Sequence, residues 1–249
     1  MRTSIRTVAV ATTAVSLALL GTACSSDKAG DSGKGSTAPS ASATSAAPAA
    51  KALSAAELEK LIVEQADLPG HQVQKAKATD VVKSEEVSTD KPSCKPLADA
   101  MAFIATGGPA ASAQRKAIEM PKKTGSPEDA LGALTAPVTS VTLGSYDGQG
   151  AQEAFASLKT AGTDCAGGFV ITGQGQKAKV TQVAPETLSA GEEALAWTVS
   201  TEVEGEPFVT KLAVFRKGGT LASFSTLSFG GPVKELPKAV IDAQAAKLG

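Results

Sequence analysis

Histidine is the side chain best placed to move protons near neutral pH, and this chain has one, His71. A single imidazole excludes a multi-histidine metal cluster and makes any Ser-His-Asp arrangement depend on that position. It follows Pro69-Gly70 at the end of a helical pattern, which predicts a surface-loop residue rather than a general base. Gly173, Gly175 and Ala178 have the spacing of a dinucleotide loop, whose glycines let backbone approach a pyrophosphate at a helix N-terminus. Val180-Thr181-Gln182-Val183 reads as a strand where that motif needs a helix, so a hairpin turn is predicted. Gly148 and Gly150 precede a helical pattern without the third glycine and are read as a helix N-terminus. The adjacent acids Glu192 and Glu193 are expected on opposite sides of a strand, which suits a solvated strand start and not a carboxylate pair. Lys91, Lys95, Lys122, Lys123 and Arg115 are expected as scattered surface charge. No catalytic residue, cofactor or metal site is assigned on these grounds.

The three cysteines carry more information. Arg2 and Arg6 open the chain, an apolar run follows from Val8 to Leu20, and Gly21, Thr22 and Ala23 lead to Cys24. This order is that of a secretory signal peptide, predicted over residues 1–23. As a helix the run would extend about 20 Å, short of the ~30 Å hydrocarbon core. Leu20-Gly21-Thr22-Ala23-Cys24 resembles the lipobox of bacterial lipoproteins, with Gly21 where a leucine is usual. That resemblance implies acylation of Cys24 and retention at the outer face of a membrane. Gly21 and Ala23 also satisfy ordinary signal-peptidase cleavage, which would release a soluble chain. With Cys24 given to lipid, Cys94 and Cys165 remain to pair in an oxidising compartment, the alternative being two free thiols.

From Ser25 to Lys51 the chain consists almost wholly of Ser, Ala, Gly, Thr, Pro, Asp and Lys. With no large apolar side chain to bury it cannot offset the entropy of ordering, so residues 24–51 are read as an anchor cysteine and flexible linker. A coil of this length would hold a domain about 30 Å from its anchor. Residues 52–249 are of a size for one domain. The whole chain carries 24 Lys+Arg against 25 Asp+Glu, and loss of Arg2 and Arg6 leaves 22 against 25. That balance argues against a nucleic-acid partner, since phosphate contacts need a basic surface.

The pattern of the domain predicts an α+β fold. Ser54-Ala55-Ala56-Glu57 has the spacing of a capping box, with Leu58, Leu61 and Ile62 following at helical intervals until Leu68-Pro69-Gly70. Residues 72–93 are read as extended or loop, and a short helix is expected from Lys95 to Ile104, ended by Gly107-Gly108-Pro109. A strand is predicted over Thr139 to Ser145, then a helix with Ala151, Ala154, Phe155 and Leu158 on one face and Cys165 just past its end, then a strand over Phe169 to Thr172. Leu195, Trp197, Val199, Thr201 and Val203 alternate with polar residues. Phe208 to Phe215 and Leu221 to Phe229 complete an expected antiparallel meander of three strands. Leu236, Ala239, Val240 and Ala243 mark a C-terminal helix. An antiparallel sheet flanked by helices satisfies these patterns.

Several segments resemble a group of actinobacterial lipoproteins and, more distantly, the extracellular sensor domains of PknH-type receptor kinases. They are Ala66-Asp67-Leu68-Pro69-Gly70, Lys91-Pro92-Ser93-Cys94-Lys95-Pro96-Leu97, Ser145-Tyr146-Asp147-Gly148, Cys165-Ala166-Gly167-Gly168-Phe169 and Gly191-Glu192-Glu193-Ala194-Leu195. The resemblance implies a sheet flanked by helices forming a cleft for an extracellular ligand. Those sensors hold two disulfides, and this domain has cysteines for one. The expected function is a membrane-tethered, non-catalytic module that binds or senses a ligand, a small molecule or an envelope protein. The alternatives are a structural or assembly protein that binds an envelope protein, and a secreted hydrolase revived by clustered buried acids or a serine beside a lysine in a cleft.

Overall fold

The computed structural model describes residues 51–77, 81–120, 135–173 and 175–249. Cys24, the signal segment, almost all of the linker, Lys122 and Lys123 lie outside them. Nine strands form one antiparallel sheet in the order β1-β3-β4-β9-β8-β7-β6-β5-β2. They are β1 (His71–Lys75), β2 (Val87–Thr89), β3 (Ala111–Glu119), β4 (Val138–Ser145), β5 (Phe169–Gly173), β6 (Gln176–Glu186), β7 (Glu193–Val203), β8 (Glu206–Lys217) and β9 (Thr220–Leu227). The described helices are α1 (Ala55–Leu61), α2 (Lys95–Met101), α3 (Gly150–Asp164) and α4 (Lys238–Leu248). This is the expected α+β fold, with the predicted meander β7-β8-β9 at its centre. The sheet is wider than expected because 72–93 supplies both edge strands and 111–119 an inner one. β9 stops at Leu227, leaving Phe229 beyond the sheet and 77% exposed.

Helices cover both faces of the sheet. On one, α2 and α3 bury Leu97, Ala154, Phe155, Leu158 and Ala161 against Trp197, Val199, Leu212, Val214 and Leu221. On the other, α1 and α4 bury Leu58, Val240 and Ile241 against Leu143, Ala213, Phe215, Ala222 and Phe224. β8 therefore points Leu212 and Val214 one way and Ala213 and Phe215 the other, and its sequence is an apolar run rather than an alternation, as a strand buried on both faces requires. The edges are kept unattractive for pairing: β1 is His-Gln-Val-Gln-Lys and β2 is three residues long.

Local chemistry sets the helix ends. Ser54 Oγ accepts from the Glu57 amide at 3.3 Å and Glu57 Oε2 accepts from the Ser54 amide at 2.8 Å, so the capping box of α1 is complete. α2 ends at Met101, earlier than expected, because Phe103 turns into the left-handed region at φ +63° ahead of the glycines. In α4 the apolar stripe is interrupted by the fully buried Gln244, which accepts from the Val63 amide at 3.0 Å and donates to the Leu61 carbonyl at 2.8 Å. This side chain closes the C-terminal end of α1, where carbonyls lack partners within the helix.

Lys247 of α4 also reaches back, donating to Asp67 Oδ2 at 2.8 Å. That bond and the Glu64 amide hold the Asp67 carboxyl below its ordinary range. Because the folded state favours the ionised form, the unfolded state binds the extra proton. The contribution is present above the ordinary aspartate pKa and lost as pH falls through the lowered folded value. Asp67→Asn is expected to lower Tm at neutral pH, with the gap to the parent closing between about pH 5 and pH 2. Melting curves across that range test it, and a gap independent of pH would mean the ion pair is not its source.

Candidate ligand site

A cavity of about 420 Å³ lies between the C-terminal end of α2 and the β5–β6 hairpin. Its lining includes Val82, Val87, Ala102, Phe103, Ile171, Gly173, Ala178 and Val203. The Phe103 carbonyl accepts from Gln114 Nε2 at 2.5 Å and from Thr142 Oγ1 at 3.1 Å, which pins this end of α2 over β3 and β4. The hairpin pairs Gly173 with Gln176, so Gly175 lies in the predicted turn with Gly173 and Ala178 on its two strands, and no helix follows as a phosphate loop requires. Among the described residues, Gln176, Lys116 and Lys177 supply the polar lining.

The segment that carries Val82 and Val87 is held by a polar cluster. Lys95 Nζ donates to Ser84 Oγ at 2.6 Å and pairs with Asp99, while Ser84 Oγ donates to Asp99 Oδ2 at 3.0 Å. A second such group lies on the opposite face of the sheet, where buried Lys211 pairs with Glu186 and donates to Thr198 Oγ1 at 2.8 Å. The Glu186 carboxyl is held below its ordinary range by bonds from Lys211 and Thr198 that outweigh its partial burial. A serine beside a lysine is one of the arrangements that would support hydrolysis. In both clusters the ammonium is instead a donor to a carboxylate and to the hydroxyl, whereas a general base must accept the hydroxyl proton. The clusters position backbone.

The structure places the other sequence candidates as follows. Cys94 and Cys165, both fully buried, form a disulfide with Cα atoms 5.8 Å apart, joining the start of α2 to the end of α3. Gly150 begins α3, as predicted. His71 is not in a loop. It opens edge strand β1 half-buried, with Nδ1 enclosed and without a partner, beside a second cavity of about 640 Å³ under residues 228–240. Loop placement failed because Met120 donates to the Gly70 carbonyl at 2.9 Å and so extends the β1–β3 ladder up to the turn.

Glu192 and Glu193 also differ from expectation. Strand β7 starts at Glu193, and Gly191 at φ +58° turns the chain before it, so strict alternation does not govern Glu192. Both carboxylates reach buried Arg216, Glu192 Oε2 at 2.6 Å from Nη1 and Glu193 Oε1 at 2.7 Å from Nη2. The Gly218 amide, followed by Arg216, lowers the Glu192 carboxyl. This is an ion-pair staple across the start of β7 and the β8–β9 turn, not an acid–base pair. Of these cations the described ones are separately engaged: Lys91 Nζ donates to the Gly168 carbonyl at 2.7 Å, Lys95 pairs with Asp99, and Arg115 pairs with Glu59 of α1 at 2.8 Å. Among the described residues no group of metal-ligating side chains converges, and no helix is long and apolar enough to cross a membrane.

The fold and cavity define a disulfide-linked domain in which one antiparallel sheet is covered by helices on both faces. No family model matches the chain, and no curated protein matches it in sequence. Among solved structures it is similar to the extracellular domain of PknH from Mycobacterium tuberculosis, with a TM-score of 0.46 and 13% identity over 80% of this chain and 95% of that one. It is similar also to an uncharacterized protein from Mycobacterium smegmatis, with a TM-score of 0.34 and 10% identity over 78% and 93%. At these scores neither likeness bears on the site.

Proposed function

We propose that this chain is a non-catalytic binding module held outside a cell membrane by a lipid on Cys24, with the cavity beside α2 as its ligand site. The observation that carries the reading is the cavity's make-up. Apolar side chains from β2, β5, β6 and β7 and from the turn after α2 line a volume within the usual range of about 300–1,000 Å³ for small-molecule sites, together with a few polar groups. The buried Cys94–Cys165 disulfide supports an oxidising compartment, and the signal and lipobox-like segments support export and anchoring. The near-neutral charge balance supports a small molecule rather than nucleic acid. A second reading, docking to an envelope protein, is favoured by one observation, the exposure of Phe229 on the glycine-containing turn after β9.

The test uses the exported chain with Cys24→Ser. Wild type is expected in the detergent phase of a membrane extract and the variant in the culture fluid, since Gly21 and Ala23 still permit cleavage; a wild type that is itself released would sink the tether. The soluble variant is then melted against classes of small molecule. A bound ligand raises stability by about 2.7 kcal/mol at a hundredfold excess over Kd. The shift is expected to vanish when Val203→Trp fills the cavity, and a shift that survives this change would place the site elsewhere.

A further inference from the structure

We infer that the outer edge of β1 is a strand-pairing surface for a second copy of this chain, and that the Gln65 side chain holds it closed. β1 ends the sheet of described strands, with β3 as its neighbour. The Met120 amide donates to the Gly70 carbonyl and the Ala76 amide to the Gln114 carbonyl, so the even-numbered residues turn their backbone groups toward β3. Alternation then turns those of His71, Val73 and Lys75 outward. One side chain meets two of these outward groups. Gln65 Nε2 donates to the His71 carbonyl at 2.7 Å, and Gln65 Oε1 accepts from the Val73 amide at 3.0 Å. The primary amide thus offers the edge the donor and the acceptor that an added strand would offer.

The rest of the fold prepares these two bonds. Gln65 begins a single turn of 3-10 helix, Gln65–Asp67. The Glu64 amide donates to Asp67 Oδ2 at 2.7 Å, and Lys247 of α4 holds the same oxygen. The His71 amide donates to the Leu68 carbonyl at 3.2 Å, which ties the turn to the start of β1. Gln65 itself is exposed, so trimming it frees the edge without opening the core. The edge suits its own copy. Antiparallel pairing about a twofold axis through Val73 sets Val73 against Val73, His71 against Lys75 and Gln72 against Gln74 of the second copy. Lysine then faces histidine rather than lysine, and the glutamine amides can donate and accept across the pair. Such a contact closes on itself as a dimer.

The test adds Gln65→Ala to the exported Cys24→Ser chain and follows sedimentation over a range of concentrations. Gln65→Ala is expected to dimerise at least about tenfold more tightly than the parent, because each copy regains two backbone groups for pairing. Adding Val73→Pro removes an outward amide while sparing the ladder to β3, and is expected to restore the parent's sedimentation. Amide exchange gives an independent reading. In dilute Gln65→Ala the Val73 amide is expected to exchange at least about tenfold faster than in the parent, with Gln72 and Gln74 unchanged, and to slow again as the dimer forms. If the proline variant does not fold, that slowing decides: present, it puts the contact on this edge; absent, it removes the inference. A Gln65→Ala chain that sediments like the parent at every concentration would overturn the proposal, as would a Val73 amide exchanging at the parental rate. Association that persists in a folded Val73→Pro variant would place the contact on another surface and overturn it equally.

Discussion

Replacing Cys94 and Cys165 together by alanine is expected to destabilise the domain by about 4 kcal/mol. The bond spans 71 residues of sequence, and the chain-entropy account of a closed loop of that size gives a value of this order. The loop contains α2, β3, β4 and α3, so the unfolded chain without it regains freedom across two strands of the sheet and both helices that cover one of its faces. The sulfurs are fully buried in the cluster that includes Leu97, Leu158 and Trp197, and trimming them adds a smaller packing loss. For a domain of this size the sum corresponds to a fall in Tm of about 8–16 °C. Thermal or urea melts of the parent and the double variant measure it. A double variant melting within a degree or two of the oxidised parent would show that the bond does not restrain the unfolded chain. Burial also predicts that reductant leaves the folded parent unchanged at room temperature and acts only as the protein opens on heating.

Legibility in the sequence followed burial chemistry. The capping box at Ser54, the alternation through Trp197 and the apolar stripe of α3 were read correctly, because in each the side chain facing the core is apolar and the period is visible. β3 was not read. Its inward positions are Ala113, Arg115 and Ala117, and a buried arginine paired with Glu59 erases the hydrophobic signal that marks a strand. The same cause hid Gln244 within α4 and Lys211 within β8, both buried and satisfied by partners far away in sequence. The binding cavity was hidden for a different reason. Its walls come from β2, β3, β5, β6, β7 and the turn after α2, and no local pattern encodes which of these meet. The disulfide was legible because cysteine is counted rather than patterned. The pairing of Glu192 and Glu193 on Arg216 was misread because the alternation rule was applied to a residue that precedes its strand by one position.

Gly168→Ala is expected to cost about 2–5 kcal/mol, whereas Gly167→Ala, one residue earlier, is expected within about 0.5 kcal/mol of the parent. Gly168 sits at φ +90°, a backbone conformation that L side chains rarely adopt, and a Cβ built there would lie 2.2 Å from the Val180 carbonyl oxygen. No rotamer relieves that contact, because the atom met is backbone. The Val180 carbonyl cannot retreat freely either, since Val180 pairs with Phe169 on one side and Thr201 on the other, next to the bulge between Val180 and Gln182. The corner is bound on several sides: the Gly168 carbonyl accepts from Lys91 Nζ, the Ala166 carbonyl accepts from the Val183 amide at 3.1 Å, and Cys165 is in the disulfide. A displaced Gly168 therefore moves the start of β5, and with it Ile171 and Gly173 in the cavity wall. A Cβ at Gly167 meets nothing within 4 Å, which makes the neighbouring substitution a control for composition and helix-end effects. Urea melts of both variants measure the difference, and binding of the small molecules that shift the parent's melting, at a temperature where both remain folded, measures its reach. If Gly168→Ala melts like Gly167→Ala, this corner is more pliable than its hydrogen bonds imply. If it melts low yet binds those molecules with parental affinity, the strain is absorbed before it reaches Ile171.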